Sequence, residues 1–281
     1  MPHDTLIDAL TLRDHLDQAD WVVVDCRFSL TDPDAGRRAY LESHLPGARY
    51  AHLDHDLSGP VTAATGRHPL PDPARLASQL GAWGIGPATQ VVAYDDLGGM
   101  LAAARLWWLL RWLGHTACAV LDGGFPAWRD AGLPLTATLP TVRPAAFAAG
   151  PDDRLWLTTT QIQALPAETA LLDARATARF RGEMEPIDPI AGHIPDALNL
   201  PTDGHLTADG RFLPAATLRE RFATALGDRA ANAVAHYCGS GVTACHSLLA
   251  MEIAGLRGSR IYPGSWSEWI RDPKRPIATG A

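Results

Sequence analysis

Short apolar runs alternate along the chain with longer segments of helical periodicity. The runs WVVVDCRF (Trp21–Phe28), VVAYD (Val91–Asp95) and AVAHYC (Ala233–Cys238) are almost continuously apolar. Such runs are typical of strands buried on both faces, as in parallel sheets. The segment LAAARLWWLLRWLG (Leu101–Gly114) and the residues from about Thr243 through Gly255 predict helices. The pattern therefore predicts an α/β fold with mostly parallel sheets flanked by helices.

The two halves of the chain repeat the same motifs in the same order. The matching pairs are Asp25-Cys26-Arg27 with Asp173-Ala174-Arg175, His44-Leu45-Pro46 with His193-Ile194-Pro195, Tyr94-Asp95 with Tyr237-Cys238, and Trp128 with Trp269. Repetition of this kind indicates duplication of one structural unit. Because the Asp, Arg and His positions occur in both halves, we interpret them as structural: ion pairs within each domain, and histidines that pack at a strand entry.

A segment without periodicity separates the two halves. Leu135 to Trp156 contains proline and small residues, a composition typical of a linker. We predict a first domain over 1–140, a linker over 141–155 and a second domain over 156–281.

Composition and charge narrow the class of function. The 281 residues are 47% hydrophobic and 20% charged, which predicts a soluble globular protein. The net charge of -7 argues against a broad nucleic-acid surface, so an anionic substrate needs a local positive site. Five aspartates within the first twenty residues argue against a secretory signal, and no apolar run reaches membrane-spanning length. We therefore expect a cytoplasmic protein.

The four cysteines differ in their surroundings. None forms a C-x-x-C pair or a zinc-ligand pattern, so the sequence implies no structural metal and no disulfide framework. Cys26 and Cys118 lie in strand-like runs, and Cys245 lies two helical turns beyond Cys238, where we expect a core position. Cys238 alone opens a glycine-rich turn between a predicted strand and a predicted helix.

The pattern of the turn CGSGVT predicts an anion site. Gly239 and Gly241 follow Cys238, and the helix begins at about Thr243. A turn of this kind directs backbone N–H groups inward and adds the positive end of the helix dipole. The same field favours a cysteine thiolate over its thiol. Cys238 is therefore a candidate nucleophile.

Two other functions use a similar loop. The residues from Gly239 to Ala244 also match the dinucleotide pattern G-x-G-x-x-A. That motif normally opens the first βαβ unit and is followed about 20 residues later by an acidic residue, which Arg257–Pro263 lacks. A cysteine phosphatase requires an arginine six positions after its nucleophile, where this chain has Ala244. Both alternatives are disfavoured.

The motifs together resemble a known family. The duplicated Asp-x-Arg and His-(Leu/Ile)-Pro segments, DGGFPAW, YPGSWSEW and above all CGSGVTA resemble the tandem-domain rhodanese and 3-mercaptopyruvate sulfurtransferases over nearly the whole chain. The resemblance implies two rhodanese-like domains, of which the first is catalytically silent. A silent first domain agrees with the repeat, because Asp95 occupies the position in the first half that corresponds to Cys238 in the second. It implies that sulfur passes from a small anionic donor through a Cys238 persulfide to a thiol, cyanide or thioredoxin, with no cofactor.

The resemblance also assigns further site residues. By motif, Arg179 matches the arginine that binds the mercaptopyruvate carboxylate. The family's second substrate arginine usually follows the Glu-Pro of this segment, where this chain has Ile187 and Asp188. In the first half, Asp54 and His68 match an acid and an imidazole proposed to form a relay with the loop serine, here Ser240.

The loop residues bear on the choice of donor. Thiosulfate-specific members of the family place basic side chains after the cysteine, whereas the mercaptopyruvate-specific members resemble Gly239-Ser240-Gly241. With Val242 and Thr243 these residues are predicted to bind the substrate. The neutral loop favours 3-mercaptopyruvate as the donor. Because the second arginine is missing, thiosulfate remains an alternative donor. A persulfide carrier without small-molecule turnover is the alternative from another functional class.

Overall fold

A computed structural model describes residues 2–280, which divide into two compact units. The first unit contains the chain up to Gly59, Pro71–Asp152 and Thr207–Phe212. The second contains Pro60–Leu70, Asp153–Leu206 and the chain from Leu213 onward. Two short segments thus belong to the unit formed mainly by the other half of the chain, whereas the predicted domain boundaries divide the sequence without such exchange.

The first unit is built around a five-stranded parallel sheet in the order β1-β5-β4-β2-β3. Its strands are β1 Leu6–Ile7, β2 Trp21–Asp25, β3 Arg49–Tyr50, β4 Gln90–Tyr94 and β5 Cys118–Leu121. Its helices are α1 Ala9–Arg13, α2 Ala35–Glu42, α3 Pro73–Ala82, α4 Ala102–Trp112 and α5 Gly124–Asp130. Every residue of β4 is buried, as its almost continuously apolar run predicts.

The second unit has a four-stranded parallel sheet in the order β7-β6-β8-β9. Its strands are β6 Ala170–Asp173, β7 Leu198–Asn199, β8 Val234–Tyr237 and β9 Arg260–Ile261. Its helices are α6 Thr159–Gln163, α7 Thr177–Phe180, α8 Ala215–Leu226, α9 Thr243–Ile253 and α10 Ser265–Trp269. The order matches that of β3-β2-β4-β5 in the first unit. The predicted α/β class with two parallel sheets is confirmed.

Membrane-spanning helices are not found between residues 2 and 280, because no helix there is both long and apolar enough to cross a bilayer.

A buried ion pair lies at the carboxyl end of a central strand in each unit. Arg27 donates to both carboxylate oxygens of Asp25, and Arg175 does the same to Asp173. Each arginine also donates to a backbone carbonyl, that of Ser43 or that of Gly192. The predicted ion pairs within each domain are therefore present.

The two repeated histidines occupy equivalent structural positions. The His44 ring stacks on Tyr40, and Nδ1 lies 2.6 Å from the Tyr40 carbonyl oxygen. The His193 ring stacks on Phe180, with its Nδ1 2.8 Å from the Phe180 carbonyl oxygen. These contacts fit the packing role inferred from their repetition.

The burial of His236 leads us to expect that the second unit loses stability in acid. His236 lies in β8 between Ser247 and Ser259, and burial lowers its pKa to about 3. Below the unfolded pKa near 6.5 the unfolded chain binds a proton that the folded chain excludes, so stability falls as pH falls towards 3. We expect His236 to cost about 2 kcal/mol of unfolding free energy at pH 5 relative to pH 7.5.

Urea unfolding at the two pH values measures this loss. His236→Gln removes the titrating ring while retaining polar groups that can face the two serines. The variant should therefore show a smaller pH-dependent loss than the unchanged protein. An identical loss in both proteins would contradict the prediction.

Candidate active site

Cys238 follows β8 directly and is 3% exposed. The N–H of Gly241 donates to its Sγ over 3.2 Å. Gly241 has φ +79°, and an added Cβ would lie 2.3 Å from the carbonyl oxygen of Pro263. Only glycine tolerates both this backbone conformation and this close approach. The glycine is therefore what allows the loop to direct an N–H at the sulfur.

The start of α10 holds this loop in place. The Cys238 N–H donates to Ser265 Oγ over 3.1 Å. In the other direction, the N–H groups of Trp266 and Ser267 donate to the carbonyl oxygens of Cys238 and Gly239, at 3.0 and 2.9 Å. The YPGSWSEW motif of the sequence thus supplies the backbone and hydroxyl partners that position the cysteine loop.

Further N–H groups of the loop and of α9 remain available. Between residues 2 and 280, no acceptor is hydrogen-bonded to the backbone N–H groups of Ser240, Val242 or Thr243. The first N–H groups of a helix have no partner within the helix and carry its positive dipole end. The loop that starts at Cys238 therefore retains the capacity to stabilise an anion.

The equivalent loop of the first unit already holds an anion of its own chain. Asp95 follows β4, and its carboxylate accepts N–H groups from Leu97, Gly99, Leu101 and Ala103 at 2.8–3.3 Å. Burial raises the pKa of Asp95 to about 6, while these hydrogen bonds oppose the rise. The first unit thus has a carboxylate where the second has Cys238.

Ser240 and His68 are brought together within the second unit. His68 Nδ1 lies 2.7 Å from Ser240 Oγ, and both residues are buried. His68 reaches this position because residues 60–70 belong to the second unit. Asp54 belongs to the first unit, in a turn where its N–H donates to His52 Nδ1 over 3.1 Å. The participation of Asp54 in a relay stays a prediction.

Arg179 lies beside Gly239 and is engaged along one edge. Its Nε and Nη2 donate to the Glu185 carboxylate at 2.7–3.1 Å, and Nη2 also donates to Asp188 Oδ2 at 3.1 Å. Its Nη1 lies 3.7 Å from the position that a Cβ on Gly239 would occupy. Burial alone would raise the pKa of Glu185, but its hydrogen bonds from Arg179 and from the backbone outweigh burial and lower it.

A second guanidinium, which sequence reasoning missed, lies beside the same glycine. Arg67 Nη2 is 3.0 Å from that Gly239 Cβ position, and its Nη1 donates to Asp188 Oδ1. One buried carboxylate therefore contacts both Arg67 and Arg179. Nothing in the sequence singled out Arg67 except its place directly before His68, because 172 residues separate it from Gly239 in the chain. The neutral loop thus lies beside two guanidinium groups, each of which is paired with a carboxylate.

The other cysteines lie in unreactive environments. Burial raises the pKa of Cys26 well above its usual value, and that of Cys118 to about 12. Cys245 Sγ donates to the Gly241 carbonyl oxygen over 3.3 Å, inside the core of the second unit. Across residues 2–280 no cluster of three or more His, Cys, Asp or Glu side chains is suited to hold a metal ion.

Comparison with known proteins agrees with the fold. Residues 8–131 and 158–272 match the family described as "Rhodanese-like domain". The "Probable 3-mercaptopyruvate sulfurtransferase" of Pseudomonas aeruginosa is 52% identical over 279 residues, 98% of either chain. The "Thiosulfate sulfurtransferase" of Bos taurus is 35% identical over 257 residues, 88% of this chain and 84% of the bovine one.

A solved structure is also similar over nearly the whole chain. The 3-mercaptopyruvate sulfurtransferase from Leishmania major matches with a TM-score of 0.84 and 33% sequence identity, covering 96% of this chain and 75% of that one. Both halves of this chain carry the family's domain, and its relatives at 30% identity or more span most of its length. The chain belongs to the rhodanese family, as a sulfurtransferase built from two rhodanese-like domains.

Proposed function

We propose that the chain transfers sulfur from 3-mercaptopyruvate to a thiophilic acceptor through a persulfide on Cys238. The observation that carries this proposal is the Gly241 N–H directed at Cys238 Sγ, at the N-terminus of α9 and beside two guanidinium groups. A sulfur nucleophile, an anion cradle and positive charge for an anionic donor thus lie together.

The first half-reaction needs no external oxidant or reductant. The Cys238 thiolate attacks the donor's thiol sulfur, an S–S bond forms and the C3–S bond of the donor breaks. The electron pair of that bond leaves as the enolate of pyruvate, and the S–H hydrogen stays on the outer sulfur of the persulfide. One proton added at C3 then gives pyruvate. Because covalent catalysis divides the transfer into two steps, we expect ping-pong kinetics.

The loop's N–H groups stabilise negative charge on sulfur before and after this step. Preorganised N–H donors favour an anion without reorganising during the reaction. The Asp95 carboxylate, bound by four N–H groups in the first unit, supports this role for the equivalent loop. At Cys238 the same kind of loop holds a sulfur in place of a fixed carboxylate.

Ser240 and His68 are the groups that we assign to proton movement. Their hydrogen bond of 2.7 Å is short enough for a proton to pass between hydroxyl and imidazole. In this role Ser240 delivers a proton to C3 of the departing enolate, and His68 then returns a proton to the Ser240 hydroxyl. Asp54 remains the predicted group that orients the imidazole.

The donor preference depends on the positive groups around a neutral loop. Gly239, Ser240 and Gly241 carry no charge, so an anion must be held by the arginines beside them. 3-Mercaptopyruvate offers a carboxylate and a carbonyl oxygen, two acceptors for two guanidinium groups. Thiosulfate remains the second candidate, because a thiosulfate sulfurtransferase is among the relatives.

In the second half-reaction an acceptor removes the outer sulfur. A thiolate attacks that sulfur, forms a new S–S bond and releases the Cys238 thiolate; cyanide gives thiocyanate in the same way. Small thiols and reduced thioredoxin are the proposed biological acceptors, and both are consistent with the proposed cytoplasmic location.

The donor assignment is tested by comparing kcat/KM for the two donors on one preparation. We expect 3-mercaptopyruvate to exceed thiosulfate by at least about tenfold, about 1.4 kcal/mol in the barrier. Arg179→Ala and Ser240→Ala should each lower the 3-mercaptopyruvate value. A tenfold higher kcat/KM for thiosulfate would refute the proposed donor preference but not the assignment of Cys238 as nucleophile. If mass spectrometry detected no persulfide on Cys238, both proposals would be refuted.

A further inference from the structure

The Arg67 guanidinium has one occupied nitrogen and one edge without a hydrogen-bond partner in the described part of the chain, here called its open edge. Its Nη1 is bound to Asp188. Its Nε is buried and has no hydrogen-bond partner among residues 2–280, and Nη2 is the nitrogen nearest the Gly239 Cβ position. A buried N–H donor without a partner is unfavourable, so a ligand carboxylate that accepted from Nε would remove this cost. Nε and Nη2 form the edge that binds a carboxylate through two parallel hydrogen bonds.

Arg179 has the complementary arrangement. Its Nε and Nη2 edge is filled by Glu185, with Asp188 as a further partner of Nη2. Its remaining nitrogen, Nη1, lies 3.7 Å from the position of a Cβ on Gly239, and the engaged Nη2 lies 3.5 Å from it. Arg179 can therefore offer a donor molecule one nitrogen, whereas Arg67 can offer two.

We propose that Arg67 binds the donor's carboxylate through its open edge, while Arg179 Nη1 donates to the donor's carbonyl oxygen. The inference rests on the proposed function, because it divides the recognition of a 2-oxo acid between two guanidinium groups of that site. It reassigns the carboxylate from Arg179, to which the family resemblance assigned it, to a residue of segment 60–70.

Asp188 explains how two guanidinium groups are held side by side. Its two carboxylate oxygens accept from Arg67 and from Arg179, which offsets the repulsion between the like charges. The side chain is buried, at 3% exposure, so its two partners are held in one geometry. The sequence has Ile187-Asp188 where a second arginine was expected, and Arg67 supplies that positive group from a distant segment.

The two roles predict different kinetic consequences. Binding of a carboxylate that does not react is the same in the ground and transition states, so its loss raises KM and leaves kcat unchanged. Negative charge builds on the carbonyl oxygen as the enolate forms, so loss of a hydrogen bond there lowers kcat. Arg67 and Arg179 variants can therefore be told apart.

The test compares 3-mercaptopyruvate with mercaptoacetone, which has the same thiol and ketone but no carboxylate. For Arg67→Ala we expect kcat/KM for 3-mercaptopyruvate to fall about 10- to 100-fold through KM, and that for mercaptoacetone to change by less than about threefold. Arg179→Ala should lower kcat with both donors. Arg67→Lys retains the charge without the two-nitrogen edge and should recover only part of the lost affinity.

Arg271→Ala is the matched control. Arg271 is exposed and donates through Nε to the Thr65 carbonyl oxygen over 3.2 Å, so it contacts the same segment without a place in the site. Its removal should leave the preference for 3-mercaptopyruvate unchanged. A similar loss in this variant would show that Arg67 acts only by holding the segment.

The outcomes separate this inference from the function on which it rests. No Cys238 persulfide with either donor would overturn the proposed function. A persulfide that forms normally, with Arg67→Ala slowing both donors equally, would overturn only the role of Arg67. If Arg67→Ala fails to fold, Arg67→Lys provides the comparison: an undiminished preference for 3-mercaptopyruvate would contradict recognition by a two-nitrogen edge.

Discussion

Replacing Cys238 by serine is expected to lower kcat/KM for sulfur transfer by at least about a thousandfold, about 4 kcal/mol in the barrier. The serine hydroxyl is a far weaker nucleophile than a thiolate and cannot form a persulfide. Mass spectrometry after addition of donor should show one added sulfur on the unchanged protein and none on Cys238→Ser. The rate of pyruvate release measures the same loss.

Cys245→Ser is the control for the cysteine chemistry. Cys245 is also buried, and a serine hydroxyl can replace its bond to the Gly241 carbonyl oxygen. We expect this variant to form the persulfide and to retain activity within about threefold, since no reacting atom is removed. Full activity in Cys238→Ser, or loss of the persulfide only in Cys245→Ser, would reassign the nucleophile.

Replacing Asp173 by alanine is expected to lower the free energy of unfolding by about 3–5 kcal/mol, because it leaves a buried guanidinium without its main partner. Arg175 is 1% exposed and donates to both Asp173 oxygens. Its other carboxylate, Glu185, lies 3.4 Å from Nη1 and compensates only in part. Urea unfolding followed by circular dichroism measures the loss.

An exposed ion pair provides the matched control. Arg129 Nη2 lies 2.8 Å from Asp130 Oδ1, but both side chains are more than half exposed. Asp130→Ala should therefore change the unfolding free energy by less than about 1 kcal/mol. Asp25→Ala, which removes the equivalent buried partner of Arg27 in the first unit, should resemble Asp173→Ala. Equal small losses in all three variants would show that burial of these pairs contributes little.

The local elements could be predicted because their causes are local in sequence. The fully buried strands β4 and β8 are visible in the sequence as almost continuously apolar runs, and α9 begins at Thr243 as the glycine-rich turn predicts. The turn around Gly241 is likewise local, because its positive φ is a property that glycine alone adopts without strain. The repeated motifs predict two equivalent units, and the structure has two parallel sheets whose shared strands follow the same order.

The duplicated α/β architecture and the cysteine loop can be predicted from the amino-acid sequence, since both follow from residue patterns within short segments. The side chains that surround this loop become known only when the chain is folded. Arg67 and His68 reach it because residues 60–70 belong to the second unit. The fold also sets which nitrogens of Arg67 and Arg179 have no partner within residues 2–280, because Glu185 and Asp188 accept hydrogen bonds from the others. Spacing along a chain cannot specify such pairings, which depend on distances between segments far apart in sequence.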